Sequence, residues 1–160
     1  MKLLEKAIQM EVDAGEYYIQ QASKNQGTPV ENAFIMLAKE EKKHEDILSR
    51  FLSDPTYMID ESQFADSEQF LVRPDDFKVE AGYTADQLEV YRVAMEMEQK
   101  MIELYRDMEK ETTDSKALLV LGFLIRQEER HYSLFDSLEK LVRRPVDWVE
   151  AAEFGEREEY

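Results

Sequence analysis

The chain has 160 residues, enough for one domain with a buried core, and 43% of them are hydrophobic. Its net charge of −16 argues against nucleic acid and anionic membrane surfaces as partners. The absence of cysteine removes disulfides, thiol catalysis, iron–sulfur clusters and Cys-ligated zinc.

Glycine (5) and proline (4) are scarce while Glu, Lys, Gln, Leu, Met and Ala abound, a mixture that favours helix. No apolar run approaches the roughly 18 residues of a membrane span. The opening MKLLEKAIQMEVDAGEYY has neither the basic start nor the long apolar stretch of a signal peptide, so the cytoplasm is the expected compartment.

Periodicity predicts a first helix from about Lys2 to Lys24, with Leu4, Ala7, Glu11, Ala14, Tyr18 and Ala22 on its inner face. NQGTP then signals a turn, and Thr28-Pro29-Val30-Glu31 reads as a capping box with proline at the first helical position. The second helix, to about Leu52, aligns Phe34, Leu37, Glu41, His44 and Leu48.

From Ser53 to Tyr83 the chain has no long helical pattern, opening on Asp54-Pro55 and closing on RPDD and AGY. Connections within bundles are short, so this stretch is expected to be a crossover. Phe64, Phe70, Leu71 and Phe77 should pack on the bundle, and Asp60 to Leu71 could form a short helix.

A third helix, about Ala85 to Glu111, starts at a second capping box (Thr84, Gln87) and aligns Tyr91, Ala94, Glu98, Met101, Tyr105 and Met108. A fourth, about Lys116 to Arg143, is capped by Asp114 or Ser115 and aligns Leu121, Leu124, Glu128, His131, Phe135 and Leu138. Beyond Arg144-Pro145 a separate short helix is expected around Trp148 to Phe154, then a frayed GEREEY. The expected organisation is a bundle over 1–144, with its crossover at 53–83, and a C-terminal short helix and tail over 145–160.

The four inner faces share an anomaly, because each carries a glutamate in its middle. They are also repeated. Adding 87 to Glu11, Tyr18, Glu41 and His44 gives Glu98, Tyr105, Glu128 and His131. Within each pair the two glutamates are equally far from the turn, so antiparallel hairpins bring them to one height, roughly 20 Å from that turn.

Four carboxylates and two imidazoles would then meet inside the core. Each buried, uncompensated carboxylate costs several kcal/mol, and the inner stripes offer no Lys or Arg beside them. Two divalent metals would neutralise four carboxylates with two neutral histidines. Oxygen-rich ligation with one imidazole per metal suits iron or manganese. A lone Glu-x-x-His is weak evidence, since most are surface pairs; two copies with two further glutamates at a common offset are much stronger. The alternative is a structural buried polar network.

Glu40, Glu45, Glu129 and Lys42 read as solvated neighbours, Glu16 and Glu103 as peripheral, and the methionines as core filler. Tyr18 and Tyr105, two turns past Glu11 and Glu98, are either core aromatics or phenols that hydrogen-bond a ligand carboxylate and relay an electron or proton.

Glu11, Glu41-x-x-His44, Glu98 and Glu128-x-x-His131, with a long crossover between the pairs, resemble the rubrerythrin branch of the ferritin-like superfamily. FIMLAKEEKKHEDIL from Phe34 is especially similar, and the likeness spans about Leu4 to Leu141. It implies an all-α, ferritin-like four-helix bundle of two antiparallel hairpins around a di-iron carboxylate centre. Glu11 and Glu98 would be terminal ligands, Glu41 and Glu128 bridges, and His44 and His131 one imidazole per metal.

Two features depart from that pattern. Full rubrerythrins carry a Cys-ligated rubredoxin iron, which this sequence has no cysteine to hold; electrons would come from an external donor such as a rubredoxin-type protein or reductase. Rubrerythrin peroxidases also carry a further carboxylate one turn past the third-helix glutamate, where this chain has Met101 and Ile102.

The expected function is a di-iron oxidoreductase reducing peroxide or O₂, with two iron ions (or manganese) as cofactor. One alternative is a ferroxidase serving iron storage or detoxification; another is a non-catalytic metal-stabilised bundle or sensor. A homodimer is compatible with the sequence.

Overall fold

The computed structural model describes residues 2–54, 56–60 and 85–154. They form four helices: α1 (Lys2–Lys24), α2 (Pro29–Ser53), α3 (Ala85–Glu111) and α4 (Ser115–Phe154). The expected short helix from Asp60 to Leu71, the packing of Phe64, Phe70, Leu71 and Phe77, the Thr84 cap and GEREEY lie outside the described residues.

The turn between α1 and α2 follows from its residues. Gly27 takes φ 78°, a conformation that carries no steric cost without a Cβ. Thr28 caps α2, its Oγ1 accepting from the Glu31 backbone N–H at 3.4 Å. Glu31 reaches back one residue further than a standard capping box, its Oε2 accepting from the Gly27 N–H at 2.7 Å. Asp114 caps α4, its Oδ1 accepting from the Lys116 N–H at 3.0 Å.

Short turns make α1–α2 and α3–α4 the principal helix pairs, and α1 also meets α3. The pairs run antiparallel: Ala22 shares one apolar cluster with Val30 near the first turn, while Ala7 shares another with Leu48. The first cluster joins Tyr18, Phe34, Leu37, Tyr91, Phe135 and Leu138 from all four helices. The second joins Ala7, Leu48, Met101, Tyr105, Leu121 and Leu124, again from all four. Between the two clusters lies the level of the four inner glutamates.

One expected element is corrected. α4 does not break at Arg144-Pro145 to give a separate short C-terminal helix; it continues to Phe154. Proline inside a helix costs about 3 kcal/mol, because it removes one N–H donor and crowds the preceding turn. Its φ is nevertheless helical, so the ladder can resume on either side, and Pro145 alone does not set the end of α4.

Candidate metal centre

Each helix delivers its glutamate to the middle of the bundle, and α2 and α4 each add a histidine three residues on. Because i and i+3 share a helix face, both Glu-x-x-His side-chain pairs point inward together. Glu11, Glu41, His44, Glu98, Glu128 and His131 are all 2% exposed or less. Among the described residues no lysine or arginine is buried, so the cations facing these carboxylates are the imidazoles.

The six side chains resolve into two overlapping groups. Glu11, Glu41, His44 and Glu128 place one nitrogen or oxygen each within 4.8 Å of one another. Glu41, Glu98, Glu128 and His131 do the same. Glu41 and Glu128 belong to both, as two metals held side by side by shared carboxylates would require. The imidazole rings lie 5.6 Å apart and nearly parallel, at 23°.

Both histidines turn Nδ1 toward the carboxylates. His44 Nδ1 stands 2.8 Å from Glu128 Oε1, 3.3 Å from Glu41 Oε2 and 3.6 Å from Glu11 Oε2. His131 Nδ1 stands 3.0 Å from Glu41 Oε1, 3.2 Å from Glu128 Oε2 and 3.7 Å from Glu98 Oε1. Several of these approaches are close without being aligned as hydrogen bonds. Glu11 Oε2, Glu41 Oε1, both Glu128 oxygens and His131 Nδ1 are buried with no hydrogen-bond partner.

Protons can balance the charge of this site. Burial pushes Glu11 and Glu98 well above the usual carboxylate range, with repulsion from Glu128 and Glu41 acting the same way. Burial would also raise Glu41 and Glu128, but His131 and His44 hold them below it. Burial would lower both histidines, yet the surrounding carboxylates raise them well above 6.5. Counted over these six side chains alone, two imidazolium ions facing two carboxylates and two carboxylic acids would be neutral, and Glu40, buried against His131, adds a carboxylate outside that count. Two M²⁺ with four carboxylates and two neutral imidazoles are equally neutral.

The unpartnered atoms distinguish a ligand site from a self-sufficient polar network. A network retained only for structure satisfies its buried donors and acceptors, since each one left unmet costs about 1–3 kcal/mol. Here five buried atoms of four residues converge without partners, and all are oxygen or imidazole nitrogen. That donor set fits two divalent metals of the iron or manganese type.

Tyr18 and Tyr105 are fully buried and meet the carboxylates in a crossed pattern. The Tyr18 hydroxyl on α1 donates to Glu98 on α3, and the Tyr105 hydroxyl on α3 donates to Glu11 on α1. Burial, then the nearby carboxylates, raises both phenols well above 10, so they remain O–H donors.

Lys42, Glu45 and Glu129 stay at the periphery as expected, Lys42 pairing with Glu45 at 2.7 Å and Glu129 with Arg106 at 2.7 Å. Glu16 and Glu103 are exposed. Glu40 is the correction: it is 5% exposed and accepts from His131 Nε2–H at 2.6 Å. The signal was available, because Glu40 stands three residues past Leu37 and four before His44, both on the inner face. The methionines pack: Met101 is buried, and Met10, Met95, Met97 and Met108 rest against the two apolar clusters.

No described helix is long and apolar enough to cross a membrane. The model of the rubrerythrin family matches residues 2–139 of the chain. Comparison with curated proteins and with solved structures returns no match.

Proposed function

The chain belongs to the rubrerythrin family of di-metal carboxylate proteins, and from that premise we propose that it is a di-iron oxidoreductase reducing peroxide, or O₂, with electrons from an external donor. The observation that carries this reading is the pair of buried Glu/His groups sharing Glu41 and Glu128. Glu11, Glu41, His44 and Glu128 would hold one iron; Glu41, Glu98, Glu128 and His131 would hold the other. Iron, when bound, would supply the redox chemistry of peroxide or O₂ reduction.

The chain's own residues hold and shield. The apolar clusters on both sides of the carboxylate level exclude bulk water and strengthen every interaction between them. Tyr18 and Tyr105 fix the orientation of Glu98 and Glu11 through O–H donation, which places two phenolic protons directly on carboxylates of the site. Reducing one peroxide to two waters consumes two electrons and two protons, so a proton held at each Tyr–Glu pair matches the requirement. Met101 and Ile102, both 3% exposed, keep an apolar wall where peroxidases of this family carry another carboxylate. These 160 residues contain no cysteine to hold a second iron centre of rubredoxin type, so the electrons would reach the site from outside them.

The test is anaerobic loading with Fe(II), followed by peroxide in the presence of a reduced rubredoxin-type protein. Two irons per chain and sustained turnover at two donor electrons per peroxide are expected. A single round of Fe(II) oxidation without turnover, accompanied by large assemblies, would establish iron handling instead. Uptake of fewer than two Fe(II) would overturn the di-iron reading.

A further inference from the structure

The two metal positions differ in one respect that the repeat does not preserve. Behind His131, on the side away from the carboxylate cluster, Glu40 accepts from Nε2–H at 2.6 Å. Both partners are buried, with side chains 1% and 7% exposed. Adding 87 to Glu40 gives Gln127, which is 4% exposed and uncharged. One hairpin therefore places a buried carboxylate at the position where the other places an amide.

Resting on the di-metal reading, we propose that Glu40 is a positioning residue that makes the two metal positions unequal, so that the His131 position binds its metal more tightly than the His44 position. An imidazole that donates Nε2–H to a carboxylate is fixed in the tautomer whose lone pair lies on Nδ1. In His131 that Nδ1 is buried without a hydrogen-bond partner and faces Glu41, Glu98 and Glu128. A charged acceptor makes a stronger hydrogen bond than an amide oxygen and leaves the opposite nitrogen more basic toward a metal. Gln127 brings no charge to its side of the bundle. Unequal positions would fill in order, the one beside His131 before the one beside His44.

The test is calorimetric titration of the metal-free full chain with Fe(II) under anaerobic conditions, in wild type, Glu40→Gln and Gln127→Glu. Wild type is expected to show two unequal binding steps. Glu40→Gln keeps the shape and an acceptor oxygen but removes the charge; it should weaken the tighter step by about 10–100-fold and leave the weaker one unchanged. Gln127→Glu should leave the tighter step unchanged.

A proton spectrum of the metal-free chain adds a readout that a merely structural role would not move. A strongly downfield imidazole N–H signal should be present in wild type and absent from both Glu40→Gln and His131→Ala. Glu40→Asp, which retains the charge one methylene back, should lose less affinity than Glu40→Gln and serves if the latter does not fold. Two equal steps in wild type, or unchanged constants in Glu40→Gln, would overturn the inference while leaving the di-metal reading intact. Equal weakening of both steps together with a lower unfolding temperature would reduce Glu40 to a structural role. Fewer than two Fe(II) taken up by wild type would remove the di-metal reading, and the inference with it.

Discussion

Tyr18 on α1 donates its phenolic hydrogen to Glu98 on α3, eighty positions along the chain and in the other hairpin. Tyr105 returns the same contact to Glu11. Each tyrosine therefore serves the glutamate of the opposite pair, not the one two turns before it on its own helix. These crossed contacts tie the two hairpins together at the level of the carboxylates.

Tyr18→Phe removes the donor and leaves a buried Glu98 oxygen unmet. The metal-free protein is expected to lose about 1–3 kcal/mol, read by denaturant unfolding. Both metals should remain, because a phenol that keeps its proton and donates it to Glu98 is not a metal ligand, while peroxide turnover should fall. Tyr105→Phe should behave alike through Glu11. Unchanged stability in both variants would mean that the crossed bonds do not join the hairpins.

Glu41→Ala removes a carboxylate shared by both groups, and His131→Ala removes the single imidazole of one. Metal analysis after anaerobic loading should show both metals lost from the first variant and at least one from the second, with activity lost from each. The loss should exceed the roughly 10–100-fold typical of a residue that only supports a ligand. Full retention of two metals in either variant would take that residue out of the ligand set.

The dependence of stability on pH has a definite sign. His44 and His131 have folded values raised above 6.5, so their contribution to the metal-free protein is complete below about pH 6.5 and drains as pH rises through the folded values. Glu11 and Glu98, also raised, add in the same sense, their contribution being complete only below 4.5. Glu41 and Glu128 are lowered, so theirs is present above 4.5 and lost on acidification through the folded values. Unfolding curves of metal-free protein should therefore show falling stability from about pH 6.5 upward. Metal binding displaces these protons, so its affinity should rise over the same range. Metal-free stability that climbed between pH 6.5 and 9 would contradict this charge state.

Phe34 packs at ring distances of 6.0 Å from both Tyr18 and Phe135, within the apolar cluster nearer the first turn. Phe34→Ala should destabilise the fold by about 3–5 kcal/mol, the range for deleting a buried aromatic ring. Thermal or denaturant unfolding measures it; a loss under 1 kcal/mol would mean that the cluster closes over the gap.

Gly15 has room for a methyl group. A Cβ there would meet Glu41 Cβ at 3.6 Å and the Ala38 carbonyl at 3.8 Å, both ordinary contacts, and its φ is not positive. Gly15→Ala should stabilise α1 by about 0.5–1 kcal/mol through reduced freedom of the unfolded chain. Two metals should still bind. A lower unfolding temperature would show that Glu41 needs that space.

Much of this was legible in one dimension. The inner faces repeat every three or four residues, so the burial of Glu11, Glu41, His44, Glu98, Glu128 and His131 could be read directly from spacing. The 87-residue offset added the level at which they meet. Glu40 escaped because a glutamate beside an inner position can snorkel outward or turn in, and spacing alone does not choose. Its partner is a histidine on another helix. Pro145 misled for the opposite reason, since a strong local signal for a break was overridden by continuation of the surrounding helix.

Periodicity, capping residues and the doubled Glu-x-x-His by themselves determined four helices, two hairpins and a carboxylate-rich core, because each is set by neighbours within one or two helical turns. Only the tertiary structure decided which tyrosine serves which glutamate, and that His131 has the Glu40 carboxylate behind it. Those relations join atoms of different helices. They depend on how the two hairpins rotate and settle against each other, a choice made by packing across the whole bundle and not by any local stretch of chain.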